Sequence, residues 1–252
     1  MFKKDVKIMI RDEYTNEIRF SYGSSIVKAS LCICKFSDDL MEKYMEKCIH
    51  PLEMETYTSL KNEKIKNYIL GMYTAKKAVS ELIHQRDLKE IIIGKGIFNQ
   101  PILMLPLNHN IHVSITHCLE YGIAIAIPQG YPIGIDLESV NDRSNRVSES
   151  QLTKHEKEIL NSHNLYSVLL WTIKESLSKV LLTGISTPFQ IYEIDKLILS
   201  SKFIVSYFKN FLQYKAISIS LDKYIFSVVY PKKFKIEFDS ESLKNTFNNN
   251  NM

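Results

Sequence analysis

Two stretches of the chain alternate apolar residues with small or polar ones around a short polar turn. They run from Val113 to Pro128 and from Ile217 to Pro231. Because successive strand residues point to opposite faces, the alternation predicts two β-hairpins that each bury one face. The stretches align if the first turn is one residue longer. The identical pairs are then Ser114 with Ser218, Ile115 with Ile219, Tyr121 with Tyr224, and Pro128 with Pro231. We interpret this match as an internal duplication.

Two longer stretches have apolar residues every three or four positions, which predicts amphipathic helices. The first helix is expected at about Glu55 to Gln85 and the second at about Tyr166 to Leu182. A shorter helix before the second begins near Thr153, which forms a capping-box pattern with Glu156. Gly184 is expected to end the second helix.

Each hairpin therefore follows a long helix, and a segment with two prolines and two glycines, Pro128 to Gly134, separates the two sets. This order predicts an α+β fold of two similar halves in a pseudo-twofold arrangement. We expect an N-terminal half at residues 1–131 and a C-terminal half at residues 132–238. Residues 239–252 lack a periodic core pattern, so we expect a frayed tail there.

Composition and charge exclude several classes of protein. A hydrophobic content of 45% excludes wholesale disorder, and 8 glycines in 252 residues exclude a collagen-like chain. The four cysteines lack zinc-site spacing, and no apolar run reaches the length of a signal-peptide core or a membrane span. We expect a cytoplasmic protein without a membrane partner. The net charge of +4 permits a phosphate-bearing ligand, but only five basic residues are arginine, the residue that most often reads duplex DNA.

An acidic strand edge follows the Pro128 to Gly134 segment. In the sequence GIDLES, Asp136 and Glu138 are two residues apart, so an extended strand points both carboxylates to one face. Neighbouring acids raise each other's pKa unless a cation lies between them, and Mg²⁺ favours one or two carboxylates completed by water and phosphate. The alternative is an exposed strand face with two solvated acids.

The second long helix carries a polar stripe opposite its apolar side. A rotation of about 100° per residue places Trp171, Glu175 and Lys179 on this stripe. Glu175 and Lys179 could form an ordinary surface ion pair. Trp171, however, has a large apolar ring, and leaving it exposed to water would lose the free energy gained by burying it. We therefore expect the other half, a ligand or a partner to cover this face.

These features together predict a Mg²⁺-dependent site for a phosphorylated ligand. Asp136, Glu138, Glu175 and Lys179 would surround one space, and the Lys-rich first helix and His117 would supply further contacts to anions. Transfer and hydrolysis both remain open. A different class of function is a non-catalytic module that binds RNA or an acidic partner through the basic helix face.

The acidic strand and the tryptophan-bearing helix resemble a known family. GIDLE (residues 134–138) and WTIKESLSK (residues 171–179), separated by 32 residues, resemble the signature of the 4′-phosphopantetheinyl transferases of the surfactin-synthetase-activating type. LGMYTAKKAV (residues 70–79), FNQPIL (residues 98–103) and VSITHC (residues 113–118) resemble further segments of that family. The resemblance implies transfer of the phosphopantetheine arm of coenzyme A to a serine of an apo acyl or peptidyl carrier protein, with release of adenosine 3′,5′-bisphosphate.

The resemblance also implies roles for individual residues. Asp136, Glu138 and Glu175 would hold Mg²⁺, and Glu175 would also act as the base for the incoming serine. Lys179 would steady the pyrophosphate. The residues implied to contact the nucleotide are Thr116 and His117, together with Gln100 and Pro101.

The chain departs from the family pattern at its expected coenzyme A cradle. Gln100 replaces a lysine before Pro101, and Met72 replaces an arginine. Lys64, Lys66 and Lys76 are expected to compensate for the lost charge. Because two fused halves build a cleft within one chain, we expect a monomer, and the resemblance implies no nucleic acid partner.

Overall fold

The computed structural model describes residues 13–37, 41–60, 62–105 and 110–248. The fold is α+β, as predicted. The N-terminal half contains, in chain order, β1 (Glu13–Tyr22), β2 (Ser25–Lys35), α1 (Met41–Cys48), α2 (Met54–Thr58), α3 (Asn62–Ile83), β3 (Ile92–Lys95), β4 (Pro101–Leu105), β5 (Ile111–Cys118) and β6 (Tyr121–Pro128). The first long helix is thus shorter than expected, since the break after α2 divides it.

The C-terminal half repeats this order of elements. It contains β7 (Gly134–Ser139), α4 (Asp142–Glu149), α5 (Lys154–His163), α6 (Ser167–Leu181), β8 (Ile194–Leu199), β9 (Ile204–Phe208), β10 (Tyr214–Leu221) and β11 (Tyr224–Pro231), followed by β12 (Lys235–Glu237) and α7 (Ser240–Asn248). Two strands precede the helices in the N-terminal half and one strand precedes them in the C-terminal half, and in each half two antiparallel hairpins follow the helices.

Two five-stranded antiparallel sheets form the centre of the molecule. Their strand orders are β12-β1-β2-β6-β5 and β7-β11-β10-β9-β8. The sheets share one core between them, whereas α3 covers the outer face of the first sheet and α6 covers that of the second. Because β12 returns to the first sheet, the C-terminal segment connects the two halves.

The two predicted hairpins are confirmed, but their predicted alignment is wrong. Each hairpin has two eight-residue strands and a two-residue turn, so neither turn is longer than the other. When the two hairpins are aligned strand by strand, Tyr121 still corresponds to Tyr224, but Ser114 corresponds to Ile217 rather than to Ser218. The two matched tyrosines meet edge to face across the molecule, with ring centroids 5.3 Å apart.

Helix ends agree only partly with the sequence pattern. The capping box at α5 is confirmed, because the Thr153 side chain accepts from the Glu156 amide while the Glu156 carboxylate accepts from the Thr153 amide. Helix α6, however, ends at Leu181 and is capped by Leu182 rather than by Gly184. The Leu182 backbone takes the left-handed conformation with φ of 58°, and Gly184 lies beyond it in a short 3₁₀ turn.

The expected frayed tail is wrong for residues 240–248, which form α7. Leu243 and Phe247 on this helix are buried in the core shared by the two sheets. The Phe247 ring lies 4.4 Å from the Tyr121 ring and 5.6 Å from the Tyr224 ring, measured between centroids. Helix α7 therefore contacts the matched turns of both halves. Within the described ranges, no helix is long and apolar enough to cross a membrane.

Phe247→Ala is expected to lower the free energy of unfolding by about 3 kcal/mol, because it opens a cavity against two buried rings. Asn245→Ala, on the exposed side of the same helix, is the matched control and should change it by less than about 0.5 kcal/mol. Urea unfolding followed by circular dichroism measures both values. Equal stabilities for the two variants would mean that α7 does not contribute to the core.

Candidate functional site

The acidic strand edge lies in β7, on the face that α6 covers. Ile135 and Leu137 point into the core between the sheets, while Asp136 and Glu138 point the other way. Asp136 is only 5% exposed. Because burying a charged group is costly, a carboxylate at this position needs a specific explanation.

Asp136 has partners on one of its two carboxylate oxygens. Its Oδ1 accepts hydrogen bonds from Thr116 Oγ1 at 2.9 Å and from Lys179 Nζ at 2.8 Å. Its Oδ2 is buried and has no hydrogen-bond partner. A buried carboxylate oxygen without a donor is costly, and a cation is a partner that would satisfy it.

Glu138 and Glu175 lie close enough to Asp136 for its charge to raise their pKa values. Burial, followed by the Asp136 charge, raises the pKa of Glu138 to about 7, although a hydrogen bond from Trp171 opposes the rise. The same two causes raise the pKa of Glu175 to about 6, and the nearby Lys179 opposes them. The structure therefore brings together the three acids and the lysine that the sequence singled out.

Strand β5 holds β7 in place through side chains rather than through a strand ladder. The Ser114 hydroxyl accepts from the Ile135 amide at 3.1 Å, and the Thr116 hydroxyl accepts from the Leu137 amide at 3.2 Å. At the start of the same row, His112 Nε2 bonds to the carbonyl just before β7 at 2.8 Å. The sequence analysis did not predict this set of hydrogen bonds, which we call the β5–β7 joint. The polar residues at alternate positions of β5 are a signal that could have indicated it.

The joint corrects the expected role of Thr116. Its hydroxyl proton is donated to Asp136, its oxygen accepts from Leu137, and its side chain is buried. Thr116 therefore orients the Asp136 carboxylate and is not placed to contact a nucleotide phosphate. His117, the next residue, is exposed and lines the adjoining cavity.

Trp171 is covered from within its own half, contrary to expectation. Its ring stacks on Phe189, with centroids 4.6 Å apart and planes 11° from parallel. Its indole also donates the hydrogen bond to Glu138. Trp171 thus fixes one of the acids, and Phe189, which lies beyond α6 in a 3₁₀ turn, was not foreseen.

A cavity of about 930 Å³ adjoins the acidic edge, and this size suits a cofactor-sized ligand. Lys179 and His117 lie at the end nearest the acids. The hairpin of β3 and β4 forms one wall with Gln100, Pro101 and Lys95, the last of which sequence reasoning did not single out. The Gln100 amide oxygen accepts from the Phe98 amide at 2.9 Å, so this side chain caps its own turn.

Three lysines were expected to supply the positive charge that Gln100 and Met72 do not provide for binding coenzyme A, but these lysines do not line the cavity. Lys76 is fully buried in an ion pair with Glu53, so its assignment to coenzyme A is wrong. Lys64 is exposed, and the Lys66 ammonium lies over the Phe36 ring at 4.9 Å. Among the residues that the structure describes, neither Lys64 nor Lys66 belongs to the cavity wall.

The donor set fits Mg²⁺ in its chemistry, with one correction to the prediction. Carboxylate oxygens are the ligands that this hard cation prefers, and Asp136 Oδ2 is available. In the described part of the chain, however, no three His, Cys, Asp or Glu side chains converge tightly enough to hold a metal ion by themselves. An ion here would take one or two carboxylates and complete its shell with water and phosphate.

In the metal-free protein, the melting temperature should fall as pH rises from about 5 to about 7. The pKa values of Glu138 and Glu175 lie above the usual 4.5, so the folded state holds more protons than the unfolded state in this window, and raising the pH removes that stability. Saturating Mg²⁺ should reverse the loss at pH 7.5.

Glu138→Gln is the matched comparison, because His112, whose pKa is lowered by burial, contributes an opposite slope to both proteins. Differential scanning fluorimetry across pH should show a shallower fall for the variant than for the native sequence. Parallel curves for the two proteins would contradict the assigned environment of Glu138.

Residues 132–229 match the model of the 4′-phosphopantetheinyl transferase superfamily. The 4′-phosphopantetheinyl transferase gsp of Aneurinibacillus migulanus is 27% identical over 133 residues, which cover 51% of this chain and 53% of that protein. The chain therefore spans about half the length of this relative. A holo-[acyl-carrier-protein] synthase of Bacillus cereus (strain AH187) is 26% identical over 87 residues, 32% of this chain and 73% of that protein.

A solved structure offers a weaker likeness. It is a holo-(acyl-carrier-protein) synthase from Bacillus anthracis in complex with CoA, 20% identical, covering 45% of this chain and 96% of that one. Its TM-score of 0.36 is too low to support an inference about function.

Proposed function

We propose, from the match of residues 132–229 to the 4′-phosphopantetheinyl transferase superfamily, that this chain transfers the phosphopantetheine arm of coenzyme A to a serine of an apo carrier protein. The observation that carries the proposal is Asp136 Oδ2. This buried oxygen lacks a partner, lies among Glu138, Glu175 and Lys179, and adjoins a cavity of about 930 Å³.

Asp136 would hold the magnesium ion through Oδ2, with Glu138 or Glu175 as a second ligand. The remaining acid would contact the ion through water. When bound, Mg²⁺ neutralises charge on the pyrophosphate of coenzyme A. Burial, followed by the charge of Asp136, raises the pKa values of Glu138 and Glu175, so repulsion between the acids contributes to the shifts when no cation lies between them. This repulsion and the unpartnered oxygen are both relieved by a divalent ion.

The chain's own residues would position the reactants and move one proton. Glu175 would accept the serine proton, directly or through water, as the serine oxygen forms its bond to phosphorus. Two hydrogen bonds, to Ile135 O and Asp136 Oδ1, hold Lys179 Nζ, and its third N–H would meet the leaving oxygen of adenosine 3′,5′-bisphosphate. His117, Gln100 and Pro101 would contact the nucleotide from the cavity wall.

Finer features of the proposal follow from the sequence. The two-half organisation and the partial match to gsp favour the surfactin-synthetase-activating type. A cleft built within one chain favours a monomer. The cysteines at 32, 34, 48 and 118 are free thiols, which suits the cytoplasm, and we expect no nucleic acid or membrane partner.

The proposal predicts that an apo carrier protein gains the mass of one phosphopantetheine arm when it is incubated with the chain, coenzyme A and Mg²⁺. Intact-mass spectrometry of acyl and peptidyl carriers measures the gain, and EDTA should abolish it. Carriers with the acceptor serine replaced by alanine are the control. No gain with any wild-type carrier would contradict the proposal.

The same assay separates the two other functions. Release of free phosphopantetheine without a carrier would indicate a phosphohydrolase. RNA binding with a steep salt dependence, together with no transfer, would indicate the binding module. The burial of Lys76 already removes one charge from the basic helix face on which that module would depend.

A further inference from the structure

Among the residues that the structure describes, Lys76 and Lys174 are fully buried, and each is paired with a buried glutamate. Lys76 Nζ lies 2.5 Å from Glu53 Oε2, and Lys174 Nζ lies 2.7 Å from Glu156 Oε2. Buried ion pairs carry a large desolvation cost, so their presence at two places requires a reason beyond stability. None of these four side chains has a part in the chemistry proposed above.

The two pairs are equivalent in every contact. Each lysine also donates to the carbonyl five residues before its glutamate, which is Cys48 for Lys76 and Gln151 for Lys174. The second oxygen of each glutamate accepts from the amide of a strand that begins the next hairpin. These bonds join Ile93 to Glu53 at 3.2 Å and Ile194 to Glu156 at 2.9 Å.

Both glutamates also cap the turn that precedes them. Glu53 accepts from the His50 amide at 2.9 Å, and Glu156 accepts from the Thr153 amide at 2.8 Å. One carboxylate thus joins three elements in each half: a helix start, the long covering helix and the following hairpin. This shared network supports the internal duplication more strongly than the hairpin sequences do.

The surroundings of the two pairs differ. Glu53 lines the large cavity, and the hairpin that it holds through Ile93 supplies Lys95, Gln100 and Pro101 to the same wall. In the second half, Lys174 immediately precedes Glu175 on α6, and the cavity wall among the described residues includes neither Lys174 nor Glu156. Equivalent networks therefore hold different parts of the site.

Resting on the proposed function, we propose that these ion pairs are positioning devices with separate tasks. The Glu53–Lys76 pair holds the β3–β4 wall and thereby sets the affinity for coenzyme A. The Glu156–Lys174 pair holds α6 and thereby sets the placement of Glu175 and the rate of transfer. All four are positioning residues that act through the wall or through Glu175.

The test compares two matched double variants, Glu53→Gln with Lys76→Met and Glu156→Gln with Lys174→Met. Each change removes both charges and leaves an amide oxygen for the backbone donors, so no isolated charge remains buried. Isothermal titration calorimetry with coenzyme A and Mg²⁺ measures Kd without a carrier protein. Initial rates with a carrier at saturating coenzyme A measure kcat, and circular dichroism checks the fold.

We expect the first double variant to raise Kd for coenzyme A by about tenfold or more while kcat changes by less than about threefold. The second should lower kcat by about tenfold or more with Kd within about twofold, because small displacements of a catalytic group are costly. Equal effects of the two variants on both quantities, or an unchanged Kd in a folded first variant, would overturn the proposal.

If a double variant does not fold, Glu53→Asp and Glu156→Asp test the same division, because each shortens the carboxylate and leaves both charges of the buried pair in place. The expected effects are then smaller, about threefold each. The proposed function fails separately, if the native chain neither binds coenzyme A nor modifies a carrier. A native chain that does both, with variants that do not divide between Kd and kcat, refutes only the positioning roles.

Discussion

Asp136→Asn is expected to lower kcat/KM for carrier modification by about a thousandfold. The amide keeps the shape of the side chain and an oxygen for Thr116 and Lys179, but it loses the charge that a cation at Oδ2 requires. Initial rates of phosphopantetheine transfer at saturating Mg²⁺ measure the loss. The melting temperature should stay within a few degrees of the native value, because the hydrogen bonds have a replacement.

Asp142→Asn is the matched control for this change. Asp142 is exposed in the first turn of α4, six residues further along the chain. The control should retain nearly full activity. If Asp136→Asn also retained full activity in a folded protein, the buried carboxylate would have no part in the reaction.

Glu175→Gln is expected to lower kcat by about a hundredfold or more, with a smaller change in KM for coenzyme A. Its carboxylate is half-buried on α6, near Asp136 and Lys179, and glutamine cannot accept the serine proton. Single-turnover transfer with preloaded coenzyme A separates the chemical step from substrate binding.

Glu158→Gln, an exposed acid on α5, is the comparison that controls for loss of charge alone. It should leave both kcat and KM near their native values. A Glu175→Gln enzyme that transferred the arm at the native rate would show that another group or bulk water accepts the proton.

Local patterns were sufficient to predict the elements that carry the acidic site. The alternation around Asp136 and Glu138 predicted the strand, and the spacing around Glu175 predicted the helix and its polar stripe. Both patterns arise from short-range periodicity, which a single sequence displays directly. The capping box of Thr153 and Glu156 is equally local, and it was also found.

Features that depend on distant partners were missed. Lys76 has the spacing of a solvated helix face, and only Glu53, 23 residues earlier, explains its burial. Thr116 was assigned to a ligand because the joint between β5 and β7 is a tertiary contact without a sequence period. A lysine or threonine on one element cannot reveal the acid or amide that another element brings to it.

The C-terminal helix shows a related limit. Leu243 and Phe247 are its buried apolar residues, and the residues around them are polar and rich in asparagine. Two apolar residues four apart in a polar segment make a weak periodic signal. Their burial depends on the tyrosines at the two hairpin turns, so the helix was interpreted as a frayed end.

We propose that Asp136 and its neighbouring acids hold one divalent cation beside bound coenzyme A. Electron paramagnetic resonance with Mn²⁺ as the probe, in the presence of coenzyme A, measures this binding without a carrier protein. We expect one Mn²⁺ per chain, displaced by excess Mg²⁺ and lost in Asp136→Asn. A native chain that binds coenzyme A but no Mn²⁺, or an Asp136→Asn chain that binds the ion equally well, would contradict the account.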